Sequence, residues 1–193
     1  MFTGIIKSVG RIVDVKKSRA GIAATVVAAR LTGLEKGASI AVNGICLTVT
    51  TRSPRSFSFF AIPETLRKTT VGSWKEGQKV NLEKSLKFGE ELGGHLVSGH
   101  IEGIGRVSAL VREGKSLLLK IEASAEILSR VVTQGSVALD GVSLTIADVG
   151  ESWFSVALIP YTLSHTSLRD LAIDDTVNIE TDMLAQYAIK RFE

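Results

Sequence analysis

Residues 42–50 read VNGICLTVT, and residues 139–147 read LDGVSLTIA. Nearly the same phrase stands twice, 97 positions apart, with Cys46 in one copy and Ser143 in the other. At that offset Ser39, Ala41, Gly44, Leu47 and Thr48 pair with Ser136, Ala138, Gly141, Leu144 and Thr145. Downstream, AIPETLRKTT (61–70) pairs with LIPYTLSHTS (158–167) and VNLE (80–83) with VNIE (177–180). Upstream, FTGIIKSVGRIV (2–13) pairs with VSGHIEGIGRVS (97–108) at an offset of 95. Collinear blocks in the same order predict a duplicated domain, and a unit of about 95 residues is too long for a solenoid repeat, so each copy buries its own core. The boundary falls in GEELGGHLVSG, punctuated by Gly89, Gly93, Gly94 and Gly99.

Within the first copy, GIIKSVGRIVDV, GIAATVVAAR, SIAVNGICLTVT, SFSFFAIP and QKVNLE are short runs rich in Val, Ile, Thr and Phe between Gly, Ser, Asn and Pro. They read as strands. About six short strands in under 100 residues predict a closed antiparallel barrel, because closure removes exposed edges. The fold class is mainly β: tandem duplicated barrels with short helices. PETLRKTTVG and PYTLSHTSLR open with Pro, which suits a first helical turn. EKSLKFGEEL and TDMLAQYAIKRFE read as helices closing the halves. The last has Leu184, Tyr187 and Ala188 on one face, which either packs on its own barrel or associates with another copy.

The 193 residues are 45% hydrophobic and 22% charged, with a net charge of +3. No Lys/Arg concentration marks a nucleic-acid footprint. One cysteine forms no intramolecular disulfide. GIAATVVAA falls far short of the roughly 20 residues that span a bilayer, and the start of the chain has no signal-peptide core. A cytoplasmic protein without membrane or nucleic-acid partners is the expectation.

Strand alternation puts Cys46 and Thr48 on one face of the first barrel and Ser143 and Thr145 on the matched face of the second. Any one such residue is ordinary in a strand; a polar face kept in both copies points to two similar pockets. The second copy has Asp140 for Asn43 and His100 for Ile5, and GGHLVSGH sets His95 and His100 in a glycine-rich stretch. Imidazole is the usual proton shuttle near neutral pH. A spacing of five suits no standard zinc pattern, and His95 reads equally as a structural residue. Cys46 lies between Ile45 and Leu47, where burial would blunt a thiol nucleophile, so binding or polarisation is the better reading. No phosphate-binding glycine loop is present.

MFTGII, NGICLTVT with DGVSLTIA, ETLRKTTVG, VNLEKSLKFGEELGGHLVSGH and LIPYTLSHTSL together resemble the riboflavin synthase family, over the whole chain. The resemblance implies six-stranded Greek-key barrels at 1–97 and 98–182 and a trimerisation helix at 183–193. It implies dismutation of two 6,7-dimethyl-8-ribityllumazine molecules by four-carbon transfer, giving riboflavin and 5-amino-6-ribitylaminouracil, with no metal or redox cofactor. A homotrimer follows, with one lumazine on the N-terminal barrel and the other on a neighbour's C-terminal barrel, and lumazine synthase is a candidate partner. Carried over, the N-terminal pocket uses Gly4, Ile5, Ile6, Ser39, Cys46, Leu47, Thr48, Phe60, Ala61, Ile62, Pro63, Glu64 and Thr65. The C-terminal pocket uses Gly99, His100, Ile101, Ser143, Leu144, Thr145, Leu158, Ile159, Pro160, Tyr161, Thr162 and Leu163. His100 is the expected base for the 7-methyl proton, with Cys46, Ser39, Thr48, Asp140 and Ser143 orienting the pair or a nucleophile. The family commonly has Lys where Gln134 stands, so a charge is lost there. Non-catalytic lumazine-binding antenna proteins are the alternative; a reductase's flavin-binding barrel would need a partner domain.

Overall fold

The computed structural model describes residues 1–29 and 33–190. The first half contains β1 (Ser8–Ser18), β2 (Gly21–Val27), β3 (Ser39–Val42), β4 (Ile45–Ser53), β5 (Ser56–Ala61), α1 (Pro63–Lys68) and β6 (Lys79–Lys84). The second contains β7 (Gly103–Glu113), β8 (Ser116–Glu122), α2 (Ala125–Leu128), β9 (Ser136–Leu139), β10 (Val142–Val149), β11 (Trp153–Leu158), α3 (Pro160–His165) and β12 (Thr176–Thr181), followed by α4 (Met183–Lys190). Each half closes into a six-stranded antiparallel barrel with the same strand cycle. Even the irregularities are duplicated. β1 bulges between Ile12 and Asp14 and β7 between Val107 and Ala109, while β4 and β10 bulge at Val49/Thr51 and Ile146/Asp148. These bulges sharpen the bends that let six short strands close.

Alternation fills each interior. Ile12, Val26, Ile40, Phe57, Phe59 and Trp74 are buried in the first core, with Trp74 edge-on to Phe59 at 6.1 Å. The second core replaces that aromatic pair with aliphatics around Phe154, Leu119, Leu139 and Ile179. The run SIAVNGICLTVT is two strands, not one, because Asn43 and Gly44 turn with φ of 45° and 78°, the conformations of a tight hairpin that Asn-Gly favours. Asp140 and Gly141 repeat the turn at 43° and 77°.

EKSLKFGEEL is not a helix. Leu86 N–H donates to Met1 O, Lys87 and Glu90 form a local turn, and Gly89 takes φ +86°, so the linker runs irregularly with Phe88 fully exposed. Long-range pairing has overridden a weak helical pattern. Of the expected terminal helix, residues 191–193 lie outside the described residues. No described helix is long and apolar enough to cross a membrane.

Candidate functional site

The two barrels meet back to back at their Asx-Gly turns. A side chain on Gly44 would lie 2.7 Å from Gly141 N, and one on Gly141 2.7 Å from Gly44 N, so only glycine permits the approach. Buried Asn81 and Asn178, from the repeated VNLE and VNIE, stitch the joint reciprocally. Asn81 N–H donates to Asn43 Oδ1 and its amide to Asp140 O; Asn178 N–H donates to Asp140 Oδ1 and its amide to Asn43 O. Their side-chain oxygens accept from Ser167 N and Thr70 N in the opposite halves. Asp140, expected among the catalytic groups, is therefore buried in this joint, away from the outward faces of Ser143 and Thr145. Burial raises its pKa to about 7, against the backbone hydrogen bond from Asn178.

The glutamates of the same motif hold two extended arms. Glu83 accepts from Thr3 N, Thr3 Oγ1 and Gly4 N at 2.7, 2.7 and 3.0 Å; Glu180 accepts from Ser98 N, Ser98 Oγ and Gly99 N at 2.5, 2.7 and 2.9 Å. Burial raises both carboxyl pKa values despite these bonds. The arms pair with each other at Phe2 and Val97, and each then crosses to the other barrel. Ser143 N–H donates to Gly4 O, and Cys46 N–H to Gly99 O, at 2.8 and 2.9 Å. Ile6 packs on the second core and Ile101 in the first.

This exchange reverses part of the expected grouping. Gly4 and Ile6, with Ile5 between them, run beside Ser143 on the second barrel, while Gly99 and Ile101, with His100 between them, run beside Cys46 on the first. His100 is exposed and lines a groove of about 350 Å³ with Lys68, Arg130 and Tyr187. Cys46 is half-buried against Phe2, Ala41, Val97 and Ala138. Ser39 lies opposite Thr48 across β3 and β4. The register of β4 on β5 brings the Thr48 end beside exposed Phe60, followed by Ile62, Pro63, Glu64 and Thr65 at the start of α1. Leu47, Leu144, Ala61 and Leu158 point into the barrel cores instead of outward, because alternation places them on the opposite face from the residues next to them.

The rims of the two faces differ. Glu64 is ion-paired with Arg67 and Lys68, which hold its carboxyl below the usual range. At the matched position Tyr161 stacks on His165 with ring centroids 4.0 Å apart, beside exposed Ile159 and Pro160 and half-buried Thr162 and Leu163. Gln134 is exposed in a turn with φ +67°, where the first half has Gly37 at +87°. His95 Nδ1 lies 2.7 Å from Ser143 Oγ, a contact invisible to the repeat because residue 95 lies outside the matched blocks. Desolvation lowers the His95 pKa, opposed by the charge of Asp182. Among the described residues no group of three His, Cys, Asp or Glu side chains could hold a metal. The arm-holding glutamates were missed in the sequence, although an acid ending a buried strand in both copies was a usable signal.

The lumazine binding domain model matches residues 3–85 and 98–182, one match per barrel. Riboflavin synthase of Brucella abortus is 41% identical over 196 residues, covering 98% of this chain and 97% of that protein. This chain belongs to the riboflavin synthase family. The family member of Bacillus amyloliquefaciens is 38% identical over 188 residues, with 97% of this chain and 87% of that protein covered. Among solved structures, LumP complexed with riboflavin superposes with a TM-score of 0.87 at 28% identity, covering 94% of this chain and 99% of that one. LumP complexed with 6,7-dimethyl-8-(1'-D-ribityl) lumazine gives 0.85 at 27% identity with the same coverage. The riboflavin synthase family thus shares its duplicated architecture with proteins crystallised around flavin and lumazine ligands.

Proposed function

We infer that this chain is a transferase of the riboflavin synthase type, dismuting two 6,7-dimethyl-8-ribityllumazine molecules into riboflavin and 5-amino-6-ribitylaminouracil. The observation that carries this reading is the pair of matched outward faces made chemically unequal, Cys46 with the His100 arm on one and Ser143 with His95 on the other. A reaction between two copies of one substrate needs two similar sites and two different tasks. One lumazine gives up four carbons and the other accepts them, so atoms and electrons balance between the two without an external oxidant or reductant.

On this reading the Cys46 face of one copy opposes the Ser143 face of another in a homotrimer held through α4, whose Leu184 and Tyr187 are exposed. Holding two rings face to face supplies most of the acceleration, since positioning can replace a large entropic barrier. His100, on an arm fixed by Glu180, takes the 7-methyl proton of one ring. Cys46, Ser39, Thr48 and Ser143 orient the rings. The protein works in the cytoplasm, where a lone half-buried thiol stays reduced, and lumazine synthase, which makes the substrate, is the candidate docking partner.

Incubating the purified chain with the lumazine alone and following absorbance and fluorescence is the deciding experiment. Riboflavin should form at half the rate of lumazine loss. Tight binding with bright lumazine emission and no product would instead assign the non-catalytic antenna role, for which LumP is a neighbour of the same fold that holds the lumazine.

A further inference from the structure

We propose that His95 is a positioning residue of the second half-site: as a neutral imidazole it donates from Nδ1 to Ser143 Oγ, turning the Ser143 hydroxyl proton outward as a donor to an acceptor atom of the bound heterocycle. This deepens the function proposed above and rests on it for the ligand. The linker is clamped where His95 leaves it. A side chain on Gly94 would lie 2.2 Å from Thr3 O and 2.9 Å from Ser143 Cβ, and Ser143 N–H is fixed to Gly4 O. The ring and the hydroxyl therefore meet at 2.7 Å between three tethered segments.

The tautomer follows from the other nitrogen. Among the described residues His95 Nε2 is the one buried side-chain nitrogen or oxygen without a hydrogen-bond partner. If Ser143 donated to Nδ1, the ring proton would sit on Nε2 as a buried N–H with no acceptor, a group that folded proteins almost never leave orphaned. With the proton on Nδ1, only a lone pair is left unmatched. A charged ring would keep the orphan N–H and add a desolvated charge, a cost that the charge of Asp182 opposes without cancelling, in line with the lowered pKa of His95. A hydroxyl that accepts from His95 has its own proton left to give. Ser143 is half-buried on the outward face, so that proton addresses whatever lies on it: a carbonyl or ring nitrogen of a pteridine-type heterocycle. The matched Cys46 packs instead against Phe2 and three aliphatic side chains.

The test combines the unmodified full chain with a double-mutant cycle. Two-bond proton–nitrogen spectra of the ligand-free protein should show His95 as the Nδ1–H tautomer; an Nε2–H tautomer overturns the proposal without any variant having to fold. Fluorescence titration with 6,7-dimethyl-8-ribityllumazine should find His95→Phe about tenfold weaker at one class of site. His95→Asn, which keeps a donor near Nδ1, should recover most of that loss. In a Ser143→Ala background His95→Phe should add no further loss; the same tenfold loss there, or His95→Asn behaving like His95→Phe, refutes the coupling. If the unmodified chain bound lumazine without making riboflavin, the proposed reaction would fail while the tautomer and the cycle still decided the role of His95.

Discussion

At residue 46 the outward face of the first barrel meets a wall of Phe2, Ala41, Val97 and Ala138; at residue 143 the same point of the second barrel meets an imidazole. The frames beneath are the same, down to matched bulges and matched glutamates. The difference comes from outside the matched blocks, since His95 lies in the linker between the two barrels. Duplication thus supplied two equal scaffolds, and the connection between them made the sites unequal. At the rims, an ion-paired Glu64 faces one site and a Tyr161–His165 stack the other.

The largest expected break in this comparison is release of an arm. Glu180→Ala leaves Ser98 and Gly99 donors buried without an acceptor and should destabilise the protein by about 3 kcal/mol, with hydrogen exchange rising at residues 97–101. Glu83→Ala should do the same to the opposite arm and expose the other face, so the pair of variants maps which arm serves which site. Next, His100→Ala should lower turnover about 100-fold with folding intact, read by steady-state lumazine consumption. Near-normal turnover would remove His100 from the proton transfer.

The joint offers a pH test with an internal control. The folded pKa of Asp140 is raised above its unfolded value, so the native state binds the extra proton. Stability is therefore highest below the unfolded pKa and falls as pH rises through about 7. Asp140→Asn, copying Asn43, should flatten that slope between pH 4 and 7 and stabilise the fold at pH 8 by about 2 kcal/mol, checked by urea denaturation across pH. The smallest effect concerns Gln134. Gln134→Gly should add about 1 kcal/mol by relieving a left-handed backbone, as Gly37 does in the first half; Gln134→Lys would keep the strain and restore a charge.

Particular residues explain what could be read beforehand. The repeated phrase announced two six-stranded barrels because alternation is local and the two copies confirm each other. The Asn43-Gly44 hairpin was legible too, but lay inside a run read as one strand. The exchange of arms was not legible: period two says which way Cys46 points, not which half supplies its neighbour. That choice is made by Glu83, Glu180 and the paired asparagines, whose partners are 38 to 135 positions away. The linker failed for a related reason, because Leu86 answers to Met1, a contact no local pattern contains.

The contact between Gly44 and Gly141 also bears on how such a gene can change. A substitution at either glycine strikes both barrels at once, so at the axis the two copies share a single fate. Cys46 and Ser143 face away from it and meet the other copy through the arms that cross beside them. Divergence after the duplication had freedom only on those outer faces, and there the two halves took up different work.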